Sequence, residues 1–477
     1  MPLDRRIWSH PILSFKRGRK VRIFFEGNSI EAYEGETVAV ALYASGHDVL
    51  RLSPKLGRPR SVFCMVGKCG SCMLLINGVP SRSCITPVEE GMFIESFKGL
   101  PPLPRASSCA SKDMEYVEPE ALIIGAGPAG IAAAVVLAKQ GVSVLLVDDQ
   151  LRVGGQLIKQ THKFFGSKEL FAGLRGYQIA EEYEKRLRKY KSVEILTQTT
   201  ALGVFKEGVL LGGKDRAYLV RPKVVLIATG ATENFLVFDN NDMPGVMGAG
   251  GAQTLMNVYG VKPGNEAVVV GAGNVGLIIT YQLLQAGVGV KAVIEAAPQI
   301  GGWVVHAAKV RRYGVPIITR HTIVGVEGTA RVRSAIIAEV NERWEPIVGT
   351  EESIKCDTVL LSVGLSPNVD MARQFGAAVK YVPELGGLVA LRTRYMETTV
   401  PGVFIAGDVA GVEEATTAFM EGWIAGYSML IKLMGAKEPY VTLREKYVKM
   451  LDEYRAGPVS ERIRRGLKHV VIGGESS

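Results

Sequence analysis

The chain has 477 residues, with 56 Lys and Arg against 47 Asp and Glu, a formal net charge of +9 and a pI near 9.1. That length holds roughly two to four domains, and 55 glycines with only 7% aromatic residues suit nested α/β domains rich in tight turns. The basic residues are scattered and no nucleic-acid motif occurs, so nucleic acid is not expected as a partner; a basic surface without a special partner is the plainest account of the charge, and a patch that docks an acidic protein comes next.

Met1 to Lys20 carries charges and two prolines but no apolar core, so it reads as an arm and not as a signal peptide. Val21 to Phe25 reads as a strand, Ser29 to Tyr33 as a second, and Glu34-Gly35-Glu36-Thr37 opens a helix that runs through Ala44 and stops at Gly46. Cys64, Cys69 and Cys72 follow on a loop rich in Gly and Ser. Met73 to Ile76 is expected as a strand, Asn77-Gly78 as a type I′ hairpin turn, and the return strand is expected to carry Cys84.

The spacing C-x4-C-x2-C-x11-C matches the plant-type [2Fe–2S] pattern. Four thiolates are needed around two irons, and Gly67 and Gly70 let the close trio wrap the cluster. Structural zinc usually shows two CxxC or Cys/His pairs, whereas here one CxxC stands with no nearby His. A disulfide framework is disfavoured in a large intracellular chain. Cys64, Cys69, Cys72 and Cys84 are therefore the expected metal ligands. Cys109, in a Ser-rich linker, reads as a surface thiol, and Cys356 as a small packing residue.

Prolines and serines between Gly99 and Ser108 mark a semi-rigid boundary. Beyond it, the apolar run Ala121 to Ile124, the turn Gly125-Ala126-Gly127-Pro128-Ala129-Gly130 and the alanine-rich run Ile131 to Ala138 spell strand, Gly-rich turn and helix. Gly125 permits the turn, Gly127 lets backbone approach a pyrophosphate, and Gly130 lets helix and strand pack closely. The helix N-terminus offers free N–H groups to the phosphates. Val142 to Val147 then ends in Asp148, placed for a ribose hydroxyl. The following Val153-Gly154-Gly155-Gln156 lies along the flavin in flavoproteins with two dinucleotide domains. Gly173 to Tyr190 reads as an amphipathic helix and Val193 to Val225 as a β-meander ending at Ala228-Thr229-Gly230, where backbone can approach a cofactor.

The module returns at Gly271-Ala272-Gly273-Asn274-Val275-Gly276, with Glu295 closing its second strand. The acid, with no Arg beside it, favours NAD over NADP. Gly364 to Asn368 echoes Ala228-Thr229-Gly230. The run Val403 to Ala406 then leads to Gly407-Asp408, with Asp408 presented to ribityl or phosphate-side hydroxyls and a helix from about Ala415 aimed at the flavin pyrimidine. The tail, Val441 to Ser477, is expected to be helical up to Gly457. The uncharged stretches Ala121 to Ala138 and Ala267 to Val290 each contain a Gly-rich turn, so they read as strand plus buried helix and not as membrane spans, which need about 20 residues of one helix.

The expected fold is α/β: two nested Rossmann-like dinucleotide-binding domains of the disulfide-reductase-like flavoprotein type, preceded by a β-grasp [2Fe–2S] ferredoxin-like domain. The expected boundaries are 1–105 for the cluster domain and arm, 116–240 and 366–435 for the two parts of the FAD domain, 241–365 for an inserted NAD(H) or nucleotide domain, and 436–477 for a helical tail.

Taken together, these features resemble the FAD-containing α subunits of heteromeric amino-acid dehydrogenases, among them L-proline and hydroxyproline dehydrogenases, sarcosine oxidase and hydrogen cyanide synthase. The resemblance covers about residues 18–435 and rests on the order of a [2Fe–2S] domain fused in front of the flavoprotein module, and on Asn240 to Val246. It implies FAD, a cluster and a separate β subunit of the D-amino-acid-oxidase type that oxidises the substrate, with FMN at the interface as a further implication. Several relatives carry a second cysteine cluster at the C-terminus; this tail has no cysteine, so a second cluster would come from a further small iron–sulfur subunit. Two other readings stay open: a self-contained NADH-dependent reductase, and a structural partner with a fixed nucleotide in the second site. A disulfide reductase needs a CxxC or CxxxxC beside the flavin, and neither the segment after Gly155 nor Gly230 to Gly271 contains Cys. The six histidines are scattered, His162 and His306 included, and no catalytic residue is assigned. The expected location is the cytoplasm, with no transmembrane segment.

Overall fold

The computed structural model describes residues 4–101, 114–164, 167–214 and 216–473. Cys109 and most of the proline-rich linker lie outside the described residues. The chain forms two compact units, Met1–Ser108 with Glu233–Gly364 and Cys109–Thr232 with Leu365–Ser477.

In the first unit, Lys20–Phe25 alternates: Val21, Ile23 and Phe25 are buried while Lys20 and Arg22 are exposed, the period of a strand with one wet face. It pairs antiparallel with Asn28–Tyr33 and parallel with Phe93–Glu95. The sheet runs on through Met73–Ile76 to Val79–Arg82. Against it lies Val38–Ala44, a helix buried at every residue and capped by Thr37, whose hydroxyl accepts from the Val40 N–H at 3.4 Å. The hairpin turn has Asn77 at φ 50° and Gly78 at φ 79°, the two positive angles of type I′. One expectation is corrected: the return strand ends at Arg82, and Cys84 sits in the turn just beyond it. The turn is braced by the Ile85 N–H, which donates to the Arg82 carbonyl.

The same unit holds a parallel sheet in the order Val246–Gly248, Thr358–Leu361, Glu266–Val270, Gly289–Glu295, Ile317–Thr319. The N-terminal arm is pinned within this unit. Buried Arg6 makes a two-pronged bond to buried Glu36 at 2.8 and 2.9 Å, and Ile7 donates its N–H to Gly260. Arg17 reaches the carbonyls of Tyr259 and Gly260. Cys356 is buried between two strands, and burial pushes its thiol up to about 12, so it stays a packing group.

The second unit is built on five parallel strands in the order Val193–Leu196, Val144–Val147, Ala121–Ile124, Val224–Ile227, Val403–Ile405. The three inner strands read as unbroken apolar runs because both faces are covered. The meander is shorter than the sequence suggests. Val193–Leu196 joins the parallel sheet, and only Thr200–Phe205, Gly208–Gly212 and Ala217–Val220 form the antiparallel run. The amphipathic helix is Gly176–Leu187, with Ile179, Ala180, Tyr183 and Leu187 buried. The tail carries more structure than expected. Beyond the helix Glu438–Arg455 lies a further helix, Glu461–Leu467, and Val471–Ile472 pairs with Arg392–Thr393. Among the described residues no helix is long and apolar enough to cross a membrane.

Candidate cofactor-binding sites

The three glycines of the first fingerprint meet different surroundings. A Cβ on Gly130 would lie 1.9 Å from the Gly125 carbonyl oxygen, and one on Gly125 (φ 110°) would lie 2.2 Å from that of Ala228. Both glycines are demanded by packing. A Cβ on Gly127 would meet nothing within 4 Å. Gly127 instead caps the helix Pro128–Ala138 in extended conformation, and the open space before it is where a phosphate group would sit on the helix N-terminus. The cradle therefore fits a pyrophosphate, and a side chain at Gly127 would fill it. Ala129 is buried, and in the helix Ala415–Met434 Gly422 packs on its backbone while Gly426 packs on Val136 and Ala133.

Asp148 stands at the end of the second strand as expected, and its carboxylate also accepts the Ala126 N–H at 2.7 Å and the Gln150 N–H at 2.8 Å. It holds the Gly-rich loop in shape, and a carboxylate has about four lone-pair sites, enough to take a ribose hydroxyl as well. Gly154 (φ 117°) donates to Ala126, and Gly155 (φ 51°) lies so close that a Cβ there would be 2.7 Å from the Gly127 Cα. This places exposed Gln156 one residue beyond the cradle. The Thr229 hydroxyl donates to the Asn368 carbonyl at 2.8 Å, and the Asn368 amide returns a bond to the Thr229 carbonyl at 3.0 Å. Asn368 thus clamps the Thr229-Gly230 turn, a role the sequence motif hints at only through its echo of the first module.

Gly407 (φ 79°) donates its N–H to the Glu421 carboxylate at 2.9 Å. Glu421 is buried with Arg392 at 3.4 Å and Arg455 at 2.7 Å, and Arg455 also holds Glu413. Asp408 is deeply set yet keeps some accessible surface. Burial, helped by the Glu421 and Glu413 charges, pushes its carboxyl up to about 7. A raised folded-state pKa stabilises the fold below the unfolded value near 4, and this contribution is lost as pH rises through 7. Asp408→Asn is therefore expected to raise the melting temperature of the flavin-free protein at pH 8 more than at pH 5. An equal shift at both pH values would show that Asp408 stays ionised throughout.

The second module repeats the first bond for bond. A Cβ on Gly276 would lie 1.9 Å from the Gly271 carbonyl oxygen, one on Gly271 (φ 104°) 2.2 Å from that of Ser362, and one on Gly273 would meet nothing within 4 Å. Glu295 accepts the Ala272 N–H at 2.7 Å, as Asp148 accepts that of Ala126. Asn274 and exposed Val275 open the helix Asn274–Gln285. Gly302 donates to Ala272 at 3.0 Å, the counterpart of Gly154 donating to Ala126. Motif reading alone passes over the pair Gly301-Gly302. Its signal is present, since Gly154 and Gly302 stand 29 and 31 residues after the first glycines of their fingerprints.

The cysteine loop has Met65, Gly67 and Gly70 at positive φ, which folds it around the thiols. Cys64, Cys72 and Cys84 are buried and Cys69 is half-buried. The sulfurs pair as Cys64 with Cys69 and Cys72 with Cys84, and Cys64 also neighbours Cys84. Two sulfur pairs suit two irons. The Lys68 and Ser71 N–H groups point at the Cys64 and Cys69 sulfurs at 3.4 and 3.5 Å, the kind of bond that tunes a cluster's potential. Arg82 and Arg51 brace the loop through the Gly67 and Gly70 carbonyls. Protein purified without oxygen is expected to carry about two irons per chain, and Cys69→Ser with Cys72→Ser to lose them with the visible absorbance. Zinc in place of iron, or full iron in that variant, contradicts the assignment.

Residues 119–422 match the family described as Pyridine nucleotide-disulphide oxidoreductase, and residues 18–99 match a 2Fe-2S iron-sulfur cluster binding domain. The alpha subunit of sarcosine oxidase from Corynebacterium sp. (strain P-1) is 27% identical over 442 residues, which is 87% of this chain but 44% of that subunit. The chain thus spans under half the length of that relative. An opine oxidase subunit from Rhizobium meliloti (strain 1021) is 30% identical over 339 residues, 66% of this chain and 71% of that subunit. The crystal structure of L-proline dehydrogenase from P. horikoshii superposes with a TM-score of 0.71 at 26% identity, covering 93% of this chain and 79% of that one.

Proposed function

The chain belongs to the pyridine nucleotide-disulphide oxidoreductase family, with an iron–sulfur domain fused in front, beside subunits of sarcosine and opine oxidases, and we propose that it is the flavin- and iron–sulfur-bearing electron-transfer subunit of a heteromeric amino-acid dehydrogenase. The observation that carries this reading is the pairing of an intact flavin-type cradle with a four-cysteine loop, in a chain without the redox disulfide of its family. FAD would be held by Gly125, Gly127, Pro128, Ala129, Gly130, Asp148, Gly155, Gln156, Thr229, Gly230, Gly407 and Asp408. The cluster would be held by Cys64, Cys69, Cys72 and Cys84. When bound, FAD accepts an electron pair and the cluster passes single electrons.

The protein's own part is positioning. Gly127 leaves room for phosphate and the helix behind it supplies N–H groups. The helix Ala415–Met434, whose first turn lies against Gly407, would turn its N-terminal N–H groups and dipole toward the flavin and so favour negative charge on a reduced ring. Glu421 and Asn368 keep the Gly407 and Thr229 turns in shape. Substrate would be oxidised on a partner of the D-amino-acid-oxidase type, of the proline, hydroxyproline or sarcosine kind, with FMN at the interface. A further small iron–sulfur protein would carry a second cluster, and the cytoplasm would be the location. In the second site, Gly271, Gly273, Asn274, Val275, Gly276 and Glu295 would take NAD(H) or another nucleotide. The duplicated cradle supports a second reading, an NADH-dependent reductase complete in itself, and equally a fixed structural nucleotide.

The test is purification of the native complex and assay of proline, hydroxyproline and sarcosine with a dye acceptor. A second, different polypeptide co-purifying with amino-acid:dye activity is the expected result. A chain that purifies alone with full NADH:dye activity would give the reductase reading its place.

A further inference from the structure

Between Asp48 and Glu89 the chain has no Asp or Glu, yet it carries Arg51, Lys55, Arg58, Arg60, Lys68 and Arg82. This acid-free stretch contains the whole cysteine loop. Three of these cations, Arg51, Lys68 and Arg82, lie on the loop that carries Cys69, the one cysteine among the described residues that is not fully buried. Arg51 lies with its guanidinium on the Gly70 and Ser71 carbonyls, both at 3.3 Å, and Arg82 donates to the Gly67 carbonyl at 2.6 Å. These are bonds to neutral backbone, which hold the side chains in place against the loop. Lys68 is exposed directly before Cys69.

The two short strands Arg51–Leu52 and Pro59–Arg60 pair Arg51 with Arg60, and exposed Lys55 sits in the turn between them. Asp242 is shared by Arg58, at 3.3 Å, and Arg60, so one carboxylate faces two guanidiniums. Glu26 lies on the other side of Arg51, where it accepts the Ser96 N–H beside Lys98. The stretch itself thus carries six cations and no carboxylate, and Asp242 binds two of the six. Leu52 and Leu56, on the same hairpin, are 39% and 74% exposed. Exposed leucines set among cations form an apolar centre with a charged rim, the make-up of a transient protein interface.

We propose that this face, hairpin 51–60 with the Cys69 edge of the cysteine loop, docks an acidic one-electron carrier protein. The cations would steer an anionic partner to the one edge of the loop that reaches solvent, and the leucines would supply the contact once it arrives. The inference rests on the iron–sulfur reading of the loop and adds to it the chemistry of the partner.

The experiment uses the full chain with its cluster verified by iron content and visible absorption. The probe is an oxidised, acidic plant-type [2Fe–2S] ferredoxin, with basic cytochrome c as counter-probe, and binding is read by titration calorimetry. Saturable binding of the ferredoxin at low salt is expected, weakening about tenfold or more toward physiological ionic strength, with none for cytochrome c. Lys55→Glu with Lys68→Glu is expected to weaken it about tenfold or more while iron content is retained. Lys189→Glu with Lys191→Glu, the same charge change placed in the other unit, is expected to leave it within about twofold. Absent binding with the cluster in place, equal loss in both variants, or equal binding of cytochrome c overturns the docking surface. A chain without iron would instead contradict the cluster reading beneath it.

Discussion

Gly127→Val is expected to yield a folded protein with little or no FAD. The backbone at Gly127 is extended, with φ −74° and ψ −173°, a conformation that valine adopts readily. A Cβ there would touch nothing within 4 Å, so the fold has no cause to give way. The side chain would instead grow into the open space before the helix N-terminus, where the pyrophosphate is expected. The neighbouring glycines provide the contrast. Gly130→Val would drive a side chain into the Gly125 carbonyl, from a Cβ position only 1.9 Å away, and should cost folding itself. The measurement is flavin content together with a far-ultraviolet spectrum and a thermal melt. Full flavin in Gly127→Val would place the pyrophosphate elsewhere.

Arg455→Met is expected to be among the most destabilising single changes in the chain. Arg455 ends the helix Glu438–Arg455 and lies buried between Glu413 and Glu421. Removing one partner of a buried ionic cluster typically costs about 3–5 kcal/mol, because the remaining charges stay buried without compensation. Here two carboxylates would be left with Arg392 alone. The loss reaches the cofactor segment, since Glu421 is also the acceptor for the Gly407 N–H. Arg455→Met should therefore both melt earlier and release flavin more easily. Arg455→Lys keeps the charge but not the fork that spans both carboxylates, and should fall between. A melt and flavin retention equal to the parent protein would show that the tail does not support this segment.

Much of this is legible in the residues, because glycine and cysteine motifs are local. Gly125, Gly127 and Gly130 state the turn, the approach and the packing in six positions. The cysteine spacing names its chemistry in the same way. What escapes depends on contacts between distant segments. Asn368 meets Thr229 across 139 residues, and Arg455 meets Glu421 across 34; neither polar residue carries a pattern that points to its partner. The sequence suggests a return strand that carries on to Cys84, yet the four residues Met73–Ile76 can pair only with Val79–Arg82, and Cys84 falls beyond the last partner. Gly457 signals the end of the tail's helix, but the segment beyond finds partners in Arg392–Thr393 that no local propensity could reveal.

The proposed division of labour puts electron transfer on this chain and amino-acid chemistry on another. Substrate oxidation needs a pocket that fixes the carboxylate and sets the reacting carbon against the flavin. The residues assigned to the flavin-type site supply glycine turns, helix ends and the carboxylates of Asp148 and Asp408, which this reading gives to holding the cofactor. The direct measurement is dye reduction by the isolated chain, loaded with FAD and cluster and shown by mass spectrometry to be free of any other polypeptide. With proline, hydroxyproline or sarcosine, no dye reduction is expected until a co-expressed partner is added. Robust amino-acid turnover by the single chain would contradict the account.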